Sequence, residues 1–305
     1  MHINAETPAP RLAVLLTCFN RCEDTLACLR SLADQQDIQG AIDIDVVLVD
    51  DGSTDGTAEQ VAVNFPSTRI LKGDGQLFWN GGMSLAFNTA LGDNYDFYLW
   101  LNDDTQLAAD ALARLLSTHQ SLADNGHKAA IVVGSTSDPL GKETTYGGVN
   151  SQYRWWPLKY VLQEPGDSAI ECDTMNGNCV LIPKAVTQLI NGLDPVYTHY
   201  LSDHDYGLRN RQAGGSVWIA PGYYGVCEVS KPLRAKQDKA TIKQNIAALD
   251  TPKGLAIGDT DLTSFSEWKH YCKQHGGRLL WPIYWLAPYR RLIWQYLPGA
   301  GGSGK

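Results

Sequence analysis

The sequence predicts an α/β fold with a mostly parallel sheet, helices on both faces and a helical extension at the C-terminus. Short apolar runs of strand length alternate with stretches of helical periodicity from Arg11 to about Gly134. Polar and acidic residues stand directly after three of those runs, at the strand ends outside which open parallel sheets bind ligands. From about Ser230 the alternation gives way to helical, mixed-charge sequence rich in Trp and Tyr.

The elements follow in order. Arg11 to Cys18 reads as the first strand, and after Asn20 the spacing of Leu26, Leu29 and Leu32 marks a helix. Ile44 to Val49 is the second strand, followed by Asp50-Asp51-Gly52-Ser53 and a helix opened by Thr54 or Asp55 as N-cap. Thr68 to Lys72 is a third strand, about Gly82 to Leu91 a helix, and Phe97 to Leu101 a fourth strand ending at Asn102-Asp103-Asp104. A helix near Ala108 to Leu122 and a strand from Ala130 to Gly134 complete the regular part. Thr144 to Gln163, rich in Gly and aromatics, suits a hairpin or long loop over the site better than another crossover unit. A strand from Met175 to Ile182, a helix near Lys184 to Ile190, a helix from Asp203 to Ala213 and a strand from Val217 to Ala220 follow.

Composition narrows the function classes. A chain of 305 residues with 44% hydrophobic and 19% charged residues is that of a folded protein. A formal net charge of -8 argues against broad nucleic-acid binding, so an anionic ligand needs local help, such as a metal. Seven cysteines without a CxxC pair point to reduced, packed thiols. No apolar run follows a basic segment at the N-terminus, so the expected location is the cytoplasm. Leu279 to Leu297 carries six Trp and Tyr residues but is broken by Pro282 and Pro288 and interrupted by Arg290 and Arg291. It reads either as an interfacial segment at the inner face of the membrane or as a helix packed on protein, in this chain or in a homodimer. Residues 299 to 305 read as a flexible tail.

Two acidic clusters carry the chemistry. Asp50 and Asp51 end a buried strand before Gly52, where carboxylates can accept hydrogen bonds from a nucleobase or ribose; the same residues also suit a turn with a helix cap. A carboxylate within Asn102-Asp103-Asp104 can hold Mg²⁺ or Mn²⁺ through oxygen while substrate phosphates take other positions on the metal. Trp79, Trp155 and Trp156 offer flat faces for stacking on a sugar, with core packing as the alternative.

Thr17-Cys18-Phe19-Asn20, Val49 to Asp55, Asn80-Gly81-Gly82 with Ala86 and Asn88, Leu101 to Asp104, and Asp203 to Arg209 together resemble the ordered motifs of family 2 inverting glycosyltransferases with the GT-A fold. The resemblance spans roughly residues 11 to 228 and includes bacterial surface-glycan enzymes of the rhamnosyltransferase type. It implies a GT-A domain over 1–229, with a nucleotide-sugar half at about 11–105, an acceptor half at about 106–229 and an extension over 230–298. It further implies that Thr17, Asn20, Asp50, Asp51, Asn80, Gly81, Asn102 and Asp103 surround the nucleotide sugar. Asp104 is then the metal ligand, Asp203 the catalytic base and Asp205 the second acid of the acceptor motif. Asn102 stands where the family often has Asp. No His follows the last strand; the neighbourhood is Gly222 to Cys227. Arg209 can pair with Asp205 one helical turn away.

The implied activity is transfer of one sugar from a UDP- or dTDP-sugar, with inversion, to a hydroxyl of a glycan or lipid-linked oligosaccharide by a hexosyl- or rhamnosyl-type enzyme. Two rivals stand beside it: an inactive nucleotide- or glycan-binding protein on the same fold, and a nucleotidyltransferase. The latter usually has a Gly-rich, basic phosphate loop after the first strand, and none is seen in the sequence.

Overall fold

The computed structural model describes residues 9–38, 40–199, 201–229, 255–257, 260–262 and 264–289. These fall into two compact units, one of residues 1–150 and 161–230 and the other of 151–160 and 231–305.

In the first unit the chain runs β1 (Arg11–Cys18), α1 (Cys22–Ala33), β2 (Asp43–Asp50), α2 (Thr57–Asn64), β3 (Arg69–Lys72), α3 (Phe78–Leu91) and β4 (Phe97–Leu101). It continues through β5 (Gln106–Leu107), α4 (Ala111–Asp124), β6 (Ala130–Ser137) and β7 (Thr144–Tyr146) to a hairpin of β8 (Gly148–Tyr153) and β9 (Trp156–Leu162), whose residues 151–160 count with the second unit. Then come β10 (Ile170–Glu171), β11 (Thr174–Met175), β12 (Cys179–Pro183), α5 (Lys184–Ile190), α6 (Ser202–Gln212) and β13 (Ser216–Val226). The main sheet has the order β10-β13-β6-β12-β4-β1-β2-β3, with β5 on β13 and β7 on β6.

The apolar runs are continuous because the central strands are buried on both faces. Leu12, Val14 and Leu16 of β1 enter one core with Cys28, Leu29 and Leu32 of α1, Val61 of α2 and Leu112 and Leu115 of α4. Ala13 and Leu15 enter the opposite core with Met83, Ala86 and Phe87 of α3, Val186 of α5 and Tyr206 of α6. The same alternation divides Leu99 from Trp100 and Val132 from Val133.

Three elements differ from the sequence expectation. Helix α3 begins at Phe78, ahead of Gly82, because the Asp51 carboxylate accepts the N–H groups of Leu77 and Phe78 at 2.9 and 3.1 Å and fixes its first turn. The expected strand from Met175 to Ile182 is two strands, β11 pairing with β8 and β12 lying antiparallel between β4 and β6. A hairpin, not a crossover helix, precedes this part, so the returning chain can enter in the opposite direction. Finally, β13 runs on past Ala220 to Val226, with register shifts between Ile219 and Gly225 against β6.

In the second unit, β14 (Leu255–Ile257) and β15 (Thr260–Leu262) form an antiparallel hairpin, followed by α7 (Phe265–His275) and α8 (Trp281–Leu286). The Trp268 indole N–H donates to the Tyr284 carbonyl at 3.3 Å, and the Tyr284 hydroxyl donates to the Trp155 carbonyl at 2.9 Å. Trp156 meets Tyr284 edge on, while Trp155 is exposed and stacks on Tyr153. Pro282 sits in the first turn of α8, where its missing N–H leaves no helical bond unmade. No helix among the described residues is long and apolar enough to cross a membrane. Arg290, Arg291, the remainder of the aromatic segment and the tail lie outside the described residues.

Candidate active site

Strands β4, β1 and β2 are neighbours and parallel, so their C-terminal ends bring together Asn102 to Asp104, Thr17 to Asn20 and Asp50 to Ser53. The loops after β1 and β2 are tied to each other. The Asn20 side-chain oxygen accepts the Thr54 N–H at 2.8 Å, and the Asn20 N–H donates to the Ser53 hydroxyl at 2.9 Å. Asp55 accepts from the Cys22 N–H at 3.0 Å and the Thr57 N–H at 3.1 Å, so one carboxylate holds the first N–H of both α1 and α2, while the N-cap of α2 is Gly56 rather than Thr54 or Asp55. These bonds, with that from the Thr57 hydroxyl first among them, hold the Asp55 carboxyl below its ordinary value.

The two acids after β2 have different parts. Asp50 accepts the Ser53 N–H at 2.8 Å through one oxygen, and its other oxygen has no hydrogen bond among the described residues. Asp51 is fully engaged: it accepts from the N–H groups of Gly75, Leu77 and Phe78 and thereby shapes the loop into α3. Phe78 there has φ 52°, a backbone conformation that costs an aromatic residue energy and needs such anchoring. Asn80 is buried, and its amide donates to the carbonyls of Asp194 and Tyr197 at 3.1 and 2.5 Å, which ties α3 to the segment leading into α6.

Helix α3 approaches β1 through Gly82. A Cβ there would stand 2.0 Å from the Thr17 hydroxyl oxygen and 2.7 Å from the Thr17 Cβ, whereas one at Gly81 would meet the Leu77 Cβ at 3.2 Å. Gly82→Ala is therefore expected to lower stability by about 1–3 kcal/mol through overpacking, and Gly81→Ala much less. Urea melts of both variants measure this; equal midpoints would show that Thr17 does not set the packing of α3.

At the end of β4 the three polar residues have separate partners. The Asn102 side-chain oxygen accepts the Trp79 indole N–H at 2.8 Å. Asp103 is buried, with one oxygen 3.3 Å from Nη1 of Arg21 and the other buried without a hydrogen bond among the described residues. Asp104 lies 2.6 Å from the same Arg21 nitrogen, and its second oxygen accepts from the Cys227 thiol at 3.4 Å. Burial pushes the Asp103 carboxyl up to about 7, with Arg21 opposing and Asp104 adding to the rise. Burial also works against the charge on Arg21, yet Asp103 and Asp104 hold its pKa above the ordinary value. Burial, then Asp104, pushes the Cys227 thiol up to about 12. All seven cysteines are free, and only Cys22 is not buried.

Asp203 opens α6 and is tied to this cluster through Gly177. The Gly177 N–H donates to the Asp203 carboxylate at 3.1 Å, and a Cβ on Gly177 would strike the Trp79 ring at 2.6 Å. Trp79, whose N–H holds Asn102, thus shares a neighbour with Asp203. Asp205 points the other way: it is fully buried, lies 2.6 Å from Arg209 Nε and accepts the Tyr197 hydroxyl at 3.4 Å. Trp155 and Trp156 belong to the second unit.

The model of the family described as Glycosyl transferase family 2 matches residues 13–185, more than half of the chain. The chain belongs to that family. This family 2 protein is 24% identical over 238 residues to the N-acetylglucosaminyl-diphospho-decaprenol L-rhamnosyltransferase of two Mycobacterium tuberculosis strains, covering 69% of the chain and 72% of the relative. Two solved structures share its fold. Staphylococcus aureus TarS 1–349 gives a TM-score of 0.52 at 13% identity; the match covers 71% of this chain and 60% of that one. The mannosyltransferase PcManGT from Pyrobaculum calidifontis, in complex with GDP-Man and Mn²⁺, gives 0.51 at 17% identity, covering 98% and 77%. The family match ends before α6, so Asp203 lies outside it.

Among the described residues of this family 2 transferase no three His, Cys, Asp or Glu side chains converge as a metal cage. The oxygen donors of Asp103 and Asp104 instead suit a hard cation that keeps positions for phosphate and water. The orphaned, buried Asp103 oxygen beside Asp104 agrees with a need for positive charge there. Sequence reasoning missed Arg21 and Gly177 as site-shaping residues. The signal for Arg21 was a cation at a helix N-terminus, where the dipole disfavours it.

Proposed function

We propose that the chain transfers a sugar from a UDP- or dTDP-sugar, with inversion, to a hydroxyl of a glycan or lipid-linked oligosaccharide in bacterial surface-polysaccharide synthesis. The observation that carries this reading is the run of contacts Asn102–Trp79–Gly177–Asp203, which joins the donor-side strand ends to a half-buried acid on another element. Asp50, with an oxygen unengaged, faces the nucleoside, and Thr17 and Asn20 form the loop beneath it. Asp51 and Asn80 act at one remove, by shaping the loop and helix around the donor.

Asp203 takes the proton of the acceptor hydroxyl as that oxygen bonds to the anomeric carbon. The bond from that carbon to the diphosphate oxygen breaks on the opposite face, and the nucleoside diphosphate leaves with the electron pair. Asp104, with Asp103 beside it, would hold Mg²⁺ or Mn²⁺, and such an ion would supply positive charge to the departing diphosphate. Work at the inner face of the cytoplasmic membrane fits the acceptor and the exposure of Trp155, Leu279, Ile283 and Leu286 in the second unit.

A panel of UDP- and dTDP-sugars, assayed for donor hydrolysis with and without EDTA, tests the proposal. At least one donor is expected to be hydrolysed, with activity lost in chelator and restored by Mn²⁺ or Mg²⁺. Full activity in chelator would remove the metal role given to Asp104; inertness toward every donor, with nucleotide still bound, would favour the inactive binding protein.

A further inference from the structure

Arg21 meets the acid pair in an economical way. A single nitrogen, Nη1, touches both Asp104 at 2.6 Å and Asp103 at 3.3 Å. The Nε and Nη2 groups make no hydrogen bond among the described residues, and the side chain is 40% exposed. A guanidinium usually engages a carboxylate through two parallel bonds, so this one keeps most of its donor fork in hand. Its backbone is fixed independently: the Arg21 carbonyl accepts the Thr25 N–H at 2.9 Å in the first turn of α1. The side chain can therefore move without unfolding the helix.

The acid pair draws a cation. Asp103 is 7% exposed and has one oxygen buried with no hydrogen bond among the described residues. Asp104, beside it, spends one oxygen on Arg21 and accepts the Cys227 thiol through the other, so a divalent ion at Asp104 would compete with Arg21 for the first. A nucleoside diphosphate entering over these strand ends would bring several negative charges into a protein of net charge -8. One monovalent guanidinium suffices for two carboxylates but not for two carboxylates and a diphosphate.

We propose that Arg21 is the resident counter-cation of the Asp103–Asp104 pair, that it yields Asp104 to a divalent cation when donor binds, and that its free fork then turns onto the diphosphate. This rests on the donor and metal assignments made above for the same site. Arg21 is thereby a competitor of the metal in the empty protein and its helper in the loaded one. No bond of the protein or the donor changes in this exchange; only ion pairs do.

The test is binding, on the full chain. Mn²⁺ titrations followed by electron paramagnetic resonance, without nucleotide, compare the parent with Arg21→Gln and Arg21→Lys; UDP and dTDP binding is measured by calorimetry in EDTA. Arg21→Gln is expected to bind Mn²⁺ roughly tenfold or more tightly than the parent, since an acid pair with Asp103 buried and its cation removed attracts another, and to bind the nucleotide more weakly in EDTA. Arg21→Lys keeps the charge but lacks the fork, so its Mn²⁺ affinity stays near the parent's while nucleotide binding in EDTA remains weak. Mn²⁺ affinity unchanged or reduced in Arg21→Gln, with its melting temperature intact, overturns the exchange and leaves the donor site standing. A parent that binds Mn²⁺ but neither nucleotide overturns the donor assignment, and this proposal with it.

Discussion

Asp203→Asn is expected to lower sugar transfer by roughly 10²–10⁴-fold, the usual contribution of a positioned general base, while leaving nucleotide binding near the parent's value. The substitution isolates the proton step. The amide oxygen of Asn can still accept the Gly177 N–H that positions Asp203 at 3.1 Å, so the geometry at the start of α6 has a substitute partner. What the amide lacks is the ability to take a proton from the acceptor hydroxyl. Single-turnover transfer at saturating donor, together with nucleotide binding by calorimetry, separates the two effects. Transfer at the parent rate would remove Asp203 from the chemistry. The rival nucleotidyltransferase reading is checked in parallel by incubation with nucleoside triphosphate and sugar phosphate, where pyrophosphate release would support it.

Arg209→Ala is expected to cost about 3–5 kcal/mol of stability, the scale for stranding one partner of a buried ion pair. Asp205 is fully buried and its carboxylate lies 2.6 Å from the Arg209 guanidinium. The same guanidinium donates to the carbonyls of Ile190 and Gly192 at 3.1 and 3.2 Å, closing the end of α5 onto α6. Removing it leaves a buried charge and two carbonyls short of a partner. Replacing both members, Asp205→Leu with Arg209→Met, should recover much of the loss, because no charge is then left buried. Chemical denaturation of the single and double variants decides the matter; a single-variant cost under about 1 kcal/mol, as for exposed pairs, would mean that water reaches the pair.

The features legible in the sequence were those whose causes are local. Arg11 to Cys18 and Phe97 to Leu101 showed as unbroken apolar runs because both faces of these strands are covered. Asp205 and Arg209 could be paired in advance because one helical turn separates them. The acids at the strand ends were readable as a site because a parallel sheet places such ends together. What escaped was set by distant contacts. The first turn of α3 depends on Asp51, far back in the chain, so helical periodicity alone started it too late. The reversed direction of β12 follows from the hairpin before it, and nothing in Cys179 to Pro183 encodes it. Gly177 falls within the expected strand from Met175 to Ile182, and its place between Trp79 and Asp203 depends on distant parts of the chain. Arg21 escaped because its partners Asp103 and Asp104 follow β4, far along the chain.

The clasp made by Asn20 and Asp55 bears on how this scaffold can diversify. Because one carboxylate holds the first N–H of two helices and one amide bridges two loops, an insertion in either connection would uncouple both helix starts at once. New nucleobase preferences are therefore most accessible through side-chain exchange at fixed length in these connections. Insertions are easier to accommodate in the long hairpin region between β6 and β11, whose residues 151–160 belong to the second unit. Side-chain exchange and insertion can on this account proceed at different rates, each in its own part of the gene.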